Sequence, residues 1–219
     1  MKFASLKRLA LAIGASALVG ATLTACFPLV VGGVAGGALV ATDRRTSGAQ
    51  LEDEGIELRA SSRIRSNVGD RVHVNLTSYN RQVLLTGEVP TAQDKQLVEQ
   101  IVSRVENVNS VVNDLAVMGN STLTQRSSDA LVTGRVKAML VDARDLSSNA
   151  FKVTTERGTT YILGRVTQRE ADRATEVVRS TPGVQKVVRI FEIISEEELA
   201  RMLPAKPAAP AAQSKPAGG

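Results

Sequence analysis

Apolar and polar residues alternate with two different periods along the middle of the chain, and the same succession of periods occurs twice. Leu51, Leu58 and Ile64, with charged residues between them, predict a helix over 51–68. Val72, Val74 and Leu76 alternate with polar residues over 71–77, as in a half-buried strand, and Tyr79-Asn80-Arg81 turns the chain into a returning strand over 82–86. Leu97, Ile101 and Val105 recur at helical spacing with Val98 and Val102 beside them, so 91–105 is a helix whose apolar stripe must pack on the sheet. Past a turn at 107–109, Val111, Leu115 and Val117 make 110–117 a third strand.

The second run predicts a helix over 128–141 with Ser127 or Ser128 as its N-cap, a strand at 151–155, a turn at 156–158 and a strand at 160–163. A helix over 168–180, stopped by Pro182-Gly183, and a strand over 184–193 follow. The runs align through Leu84-Leu85-Thr86-Gly87-Glu88-Val89 and Ile162-Leu163-Gly164-Arg165-Val166, in which Gly87 and Gly164 each close an apolar strand. Gly87 to Gly164 is an offset of 77, Val111 to Val187 one of 76, and the extra loop residues of the second copy fall within 142–149. The expected fold class is therefore α+β: two αββαβ domains, at 51–119 and 125–194, each a three-stranded mixed sheet packed against two helices. Lone cores of about 70 residues give only a few kcal/mol, so the copies are expected to pack on one another through helices or sheet edges. Gly87 and Gly164 are expected to be structural, through positive φ or close approach of the next helix.

The ends of the chain read differently. Residues 1–8 are basic, Leu9 to Leu23 is apolar, and Leu23-Thr24-Ala25-Cys26 follows, which makes 1–25 an export signal. The tetrapeptide resembles the lipobox of bacterial lipoproteins, implying that Cys26 is lipidated and that acyl chains anchor the mature N-terminus. Phe27, in place of the Asp that retains enterobacterial lipoproteins in the inner membrane, implies an outer-membrane position facing the periplasm. The apolar run at 27–40 is broken by Pro28, Gly32, Gly33, Gly36 and Gly37, unlike a spanning helix, and 26–50 is expected to be a linker. At the other end, 195–201 is expected to be a short helix with acidic residues in its first turn, and the Ala/Pro-rich tail to 219 to be disordered.

Composition narrows the chemistry. The chain has 219 residues, 3% aromatic and no Trp, which excludes stacking platforms for bases or sugars. Three of its 27 basic residues (Lys2, Lys7, Arg8) lie in the export signal, which leaves 24 against 22 acidic, a net of +2, and no polycation for nucleic acid. His73 is the lone histidine and is out of phase with Val72, Val74 and Leu76, so it is expected at solvent or a sheet edge. With no second His and one Cys, no metal-ligand cluster, cofactor site or catalytic triad is expected, and the protein is read as non-enzymatic.

One surface stands out. On the helix at 128–141, Val132, Val136 and Met139 or Leu140 can face the core, which leaves Leu131 off the stripe, at the helix start, with Arg135 one turn later. An apolar residue beside cations suits an anionic lipid surface; these residues fit an ordinary core and solvated face equally well.

The glycine after an apolar strand, the helix that follows, and Pro182-Gly183-Val184-Gln185-Lys186-Val187-Val188 together resemble the BON domain family; Glu106-Asn107-Val108-Asn109-Ser110-Val111-Val112 is a weaker copy of that turn. The resemblance implies that the second domain binds anionic phospholipid, such as phosphatidylglycerol, through its first helix. Leu131 stands where the family can carry a tryptophan, and Arg126, Arg135, Lys137 and Arg144 are the electrostatic candidates. It further implies support of outer-membrane integrity, enrichment at the division septum and a link to outer-membrane protein assembly machinery. The alternative is a protein-interaction adaptor for assembly or cell-wall machinery, with incidental lipid contact.

Overall fold

The computed structural model describes residues 43–202; the export signal, Cys26 and the Ala/Pro tail lie outside the described residues. The first copy runs α1 (Ser47–Val68), β1 (His73–Tyr79), β2 (Gln82–Val89), α2 (Ala92–Ser103), β3 (Ser110–Asn113) and β4 (Ala116–Val117). The second runs α3 (Leu123–Asp142), β5 (Phe151–Glu156), β6 (Thr159–Val166), α4 (Gln168–Arg179) and β7 (Lys186–Ile193), followed by α5 (Glu196–Met202). Among the described residues no helix is long and apolar enough to cross a membrane.

Both sheets are mixed. β1 pairs antiparallel with β2, and β2 runs parallel to β3 and β4; β5 pairs antiparallel with β6, which runs parallel to β7. The third strand of the first sheet is broken, not continuous as its apolar alternation predicts. At the break the Asp114 amide donates to the Leu85 carbonyl and Leu115 turns into the core, 2% exposed. The kink aims the Asp114 carboxylate at the other copy, where it accepts from the Tyr161 hydroxyl at 2.7 Å.

Each hairpin turns on two residues with positive φ, Asn80-Arg81 and Arg157-Gly158, the conformation that matches strand twist. In each copy a buried aspartate on the first helix holds that turn. Asp53 accepts from the Asn80 and Arg81 amides, both at 2.8 Å, and Asp129 from those of Arg157 and Gly158 at 2.8 and 3.0 Å. The Asp53 carboxyl is pushed up by burial, but the Arg81 amide, Ser78 hydroxyl, Arg45 and Asn80 amide outweigh this and hold it below its ordinary value.

Both strands β2 and β6 continue past their glycines to Val89 and Val166. What crowds the glycines is the neighbouring strand, not the following helix. A Cβ on Gly87 would lie 2.1 Å from the His73 carbonyl oxygen, and one on Gly164 2.7 Å from that of Ala150. Gly87 also has φ +109°, whereas Gly164 does not need positive φ.

The helices cover one face of each sheet. Ile56, Ala60 and Ile64 of α1 pack with Val98 and Val102 of α2 on Val83, Leu85 and Val89. Val132, Val136 and Leu140 of α3 pack with Ala174, Val177 and Val178 of α4 on Val153 and Ile162. The opposite faces meet each other: Tyr79 and Leu84 of the first sheet pack with Tyr161, Leu163 and Ile190 of the second. The copies therefore join face to face instead of by helices or edges. Adjacent leucines Leu84 and Leu85 are both fully buried because each face of β2 has a partner, and each such side chain contributes about 1.5–3 kcal/mol.

Candidate functional site

Helix α3 starts at Leu123, five residues before the position expected from the serines. Thr122 is the N-cap: its hydroxyl accepts from the Gln125 amide while the Gln125 side chain accepts from the Thr122 amide, a capping box that satisfies two donors at once. Ser127 and Ser128 therefore lie inside the helix, and Leu131 sits more than two turns from its start. Leu131 is 64% exposed and Val141 65%. Arg135, one turn after Leu131, is exposed on the same side. Leu140 takes the core position; Met139 does not and is 40% exposed.

The remaining cations divide. Lys137 is exposed but, six residues from Leu131, lies about 120° around the helix. There it lines a cleft of about 560 Å³ with Arg45, Tyr79, Leu140, Phe151 and Lys152. Arg144 is exposed in the loop after α3. Arg126 is partly buried, and its Nε donates to Ser121 Oγ at 3.1 Å. Among the described residues Arg135, Lys137 and Arg144 make no ion pair. The structure thus brings Leu131 and Arg135 to one face and leaves Arg126, Lys137 and Arg144 off it, with Val141 one turn after Lys137 at the cleft.

A second constellation is one that sequence periodicity missed. His73 is neither solvated nor isolated: its side chain is 16% exposed and its Nδ1 lies 2.9 Å from Glu88 Oε2. Both copies contribute to this corner, because Glu156 of β5 closes on the pair, and one ligand atom from each of His73, Glu88 and Glu156 lies within 4.8 Å of the others. Groups with metal-ligand spacing therefore do come together, where residue counts predict none: period-2 reading assigns the far face of β1 to water, whereas the second sheet covers it. Burial pushes the Glu88 carboxyl up, but His73 and the two Ser121 donors hold it below its ordinary value. Glu156 is driven up, first by burial and then by Glu88 and Asp129, against the opposing pull of His73 and Asn75.

The opposite corner of the interface is closed by Arg44. Its guanidinium grips both oxygens of Glu170 at 2.7 Å, with the two side chains only 4% and 5% exposed, and donates to the Arg165 carbonyl at 2.9 Å. Tyr79 OH donates to the Ala150 carbonyl at 3.3 Å and accepts from the Arg165 amide at 3.2 Å.

The BON domain model matches residues 52–119 and 128–194, and the chain belongs to the BON domain family. Along 197 residues it is 36% identical to the outer membrane lipoprotein DolP of Haemophilus influenzae, covering 89% of this chain and all of that one. It is 27% identical over 154 residues to a 21 kDa hemolysin of Actinobacillus pleuropneumoniae, covering 69% of this chain and 79% of the other. Against the solved structure of CdsD, a structural protein of the type III secretion system of Chlamydia trachomatis, the TM-score is 0.28 at 14% identity, covering 70% of this chain and 96% of that one. That last likeness is too slight to bear on fold or function. The two BON matches and the DolP identity make this a tandem-BON, DolP-like lipoprotein, grouped with the lipoproteins of the outer membrane.

Proposed function

We propose that the protein is anchored through acylated Cys26 in the outer membrane, faces the periplasm, and binds anionic phospholipid with α3 of its second BON domain, so supporting envelope integrity at the division septum. The observation that carries this reading is the outward face of α3. Leu131 is about two-thirds exposed there, beside Arg135, a cation with no ion-pair partner among the described residues. On a membrane the Leu131 side chain enters the acyl boundary and Arg135 meets a phosphate. Lys137 and Arg144 add longer-range attraction, each cation near the surface contributing about 1 kcal/mol. Arg126, tied to Ser121, contributes least.

The test is sedimentation of the non-acylated protein with phosphatidylglycerol or phosphatidylethanolamine vesicles. Binding is expected to the anionic vesicles alone, to fall with salt, to drop severalfold with Arg135→Glu, and to be lost with Leu131→Glu. Equal, salt-insensitive binding to both vesicles would sink the reading, as would wild-type binding by L131E.

A specific observation favours the adaptor alternative for the first domain. Leu51 and Leu58 are seven residues apart on α1 and 71% and 74% exposed. Exposed Glu54 lies between them and exposed Arg65 follows seven residues after Leu58, so this face carries both signs of charge and suits a protein partner, such as outer-membrane assembly machinery, better than an anionic membrane. Leu58→Glu should leave vesicle binding unchanged and weaken any such protein contact.

A further inference from the structure

We infer that His73, Glu88 and Glu156 form a binding site for a divalent transition-metal ion of the zinc class, bridging the two BON domains. His73 comes from β1, Glu88 from β2 and Glu156 from β5, and an atom from each falls within 4.8 Å of the others, so a modest contraction brings all three to one ion. Each carboxylate keeps one oxygen without a hydrogen-bond partner: Glu88 Oε1, on a residue 0% exposed, and Glu156 Oε2, on one 8% exposed. Buried carboxylate oxygens left bare are rare because desolvation is costly. Two carboxylates that each keep such an oxygen, brought together from different domains with an imidazole beside them, point to a cation as the missing partner.

The other oxygens are already held. Glu88 Oε2 lies 2.9 Å from His73 Nδ1 and accepts from the Ser121 amide and hydroxyl, both at 3.1 Å, and Glu156 Oε1 accepts from Asn75 Nδ2 at 2.5 Å. Each carboxylate is thereby oriented to present a single oxygen, the arrangement that outer partners give to metal ligands. One imidazole nitrogen with two carboxylate oxygens leaves a position for water and matches zinc-class ions; calcium requires six to eight oxygens, which this pocket does not supply. The competing cation is Arg157, whose Nε stands 3.8 Å from Glu88 Oε1, within ion-pair range but without a hydrogen bond, on a side chain 35% exposed whose Nη1 meets Met118 Sδ.

Because the ligands come from both copies, the bound ion would clamp the sheet interface and tie the orientation of the lipid-facing α3 to metal supply. The experiment is calorimetric and thermal titration of chelator-stripped, full-length protein in detergent with zinc, manganese or calcium chloride. Zinc is expected to bind once per chain and, at a hundredfold excess over Kd, to raise the melting midpoint by about 5–10 °C; calcium is expected to do neither. Glu156→Gln, isosteric and neutral, should keep the metal-free midpoint at or above wild type while weakening zinc at least tenfold, and His73→Gln should weaken it similarly. Absence of a saturable single site, undiminished zinc affinity in E156Q, or a calcium shift equal to that of zinc would overturn the inference.

Discussion

The two corners of the sheet interface occupy equivalent places in the duplicated fold, yet they are built from different chemistry. The offset of 77 that relates Gly87 to Gly164 also relates His73 to Ala150, Tyr79 to Glu156 and Glu88 to Arg165, and the strand registers agree with it. One corner brings Tyr79 onto Ala150 and Arg165; its counterpart brings Glu156 onto His73 and Glu88. At the first, the tyrosine hydroxyl both donates and accepts, and every oxygen of neighbouring Glu170 is engaged. At the second, two buried oxygens remain bare. Duplication supplied two copies of one junction; one is specialised for stability, and the other keeps the ligand capacity that stability would otherwise consume.

The sharpest way to break this comparison is to remove Arg44. Arg44→Ala leaves Glu170 buried and uncompensated and should cost about 3–5 kcal/mol in urea unfolding; a loss under 1 kcal/mol would mean that the corner is not the stabilising one. Next come the glycines beside each corner. Gly87→Ala meets a carbonyl at 2.1 Å in a left-handed conformation and should cost about 2–4 kcal/mol. Gly164→Ala meets one at 2.7 Å without that conformational demand and should cost less, about 1–2 kcal/mol; the reverse order would contradict the structural account. Smaller and opposite in sign are the equivalents Tyr79→Phe and Glu156→Gln. Without metal, Y79F should lose about 1 kcal/mol, and E156Q should lose nothing, because its amide can donate to the bare Glu88 oxygen.

The smallest effect is the pH dependence of the closed corner. Burial pushes Glu170 up, but Arg44 and the Thr167 amide outweigh it and hold its carboxyl below the ordinary 4.5. A depressed carboxyl contributes stability that is fully present above its unfolded value and is lost as pH falls through the folded one. Between pH 6 and 3 the wild-type protein should therefore lose more stability than Glu170→Gln, and parallel curves would refute the assignment.

Much of the fold is legible in residue order because each helix and strand buries a face against its own neighbours, and the period of that face is written locally. Where boundaries differ, the reason is local too. Thr122 with Gln125 outcompetes Ser127 and Ser128 as a helix start because a capping box satisfies two donors. The lipid candidate is only half legible: Leu131 and Arg135 do share an exposed face, while Lys137 turns toward the cleft and Arg126 is tied to Ser121. His73 does sit on an edge strand, but its surroundings are not legible, for a deeper cause. Alternation shows that one face of β1 is apolar but cannot show that the other face is covered by a second sheet.

The sequence by itself determined the duplication, the αββαβ order of each copy, the family and the two structural glycines, since all of these follow from spacing along one chain. The tertiary structure alone decided that the sheets meet face to face, that the turns hang on Asp53 and Asp129, and that His73, Glu88 and Glu156 share a corner. The physical reason is range. Helix and strand periodicities report burial within a few residues, whereas a site assembled from β1, β2 and β5 depends on which sheet face the second domain chooses to cover.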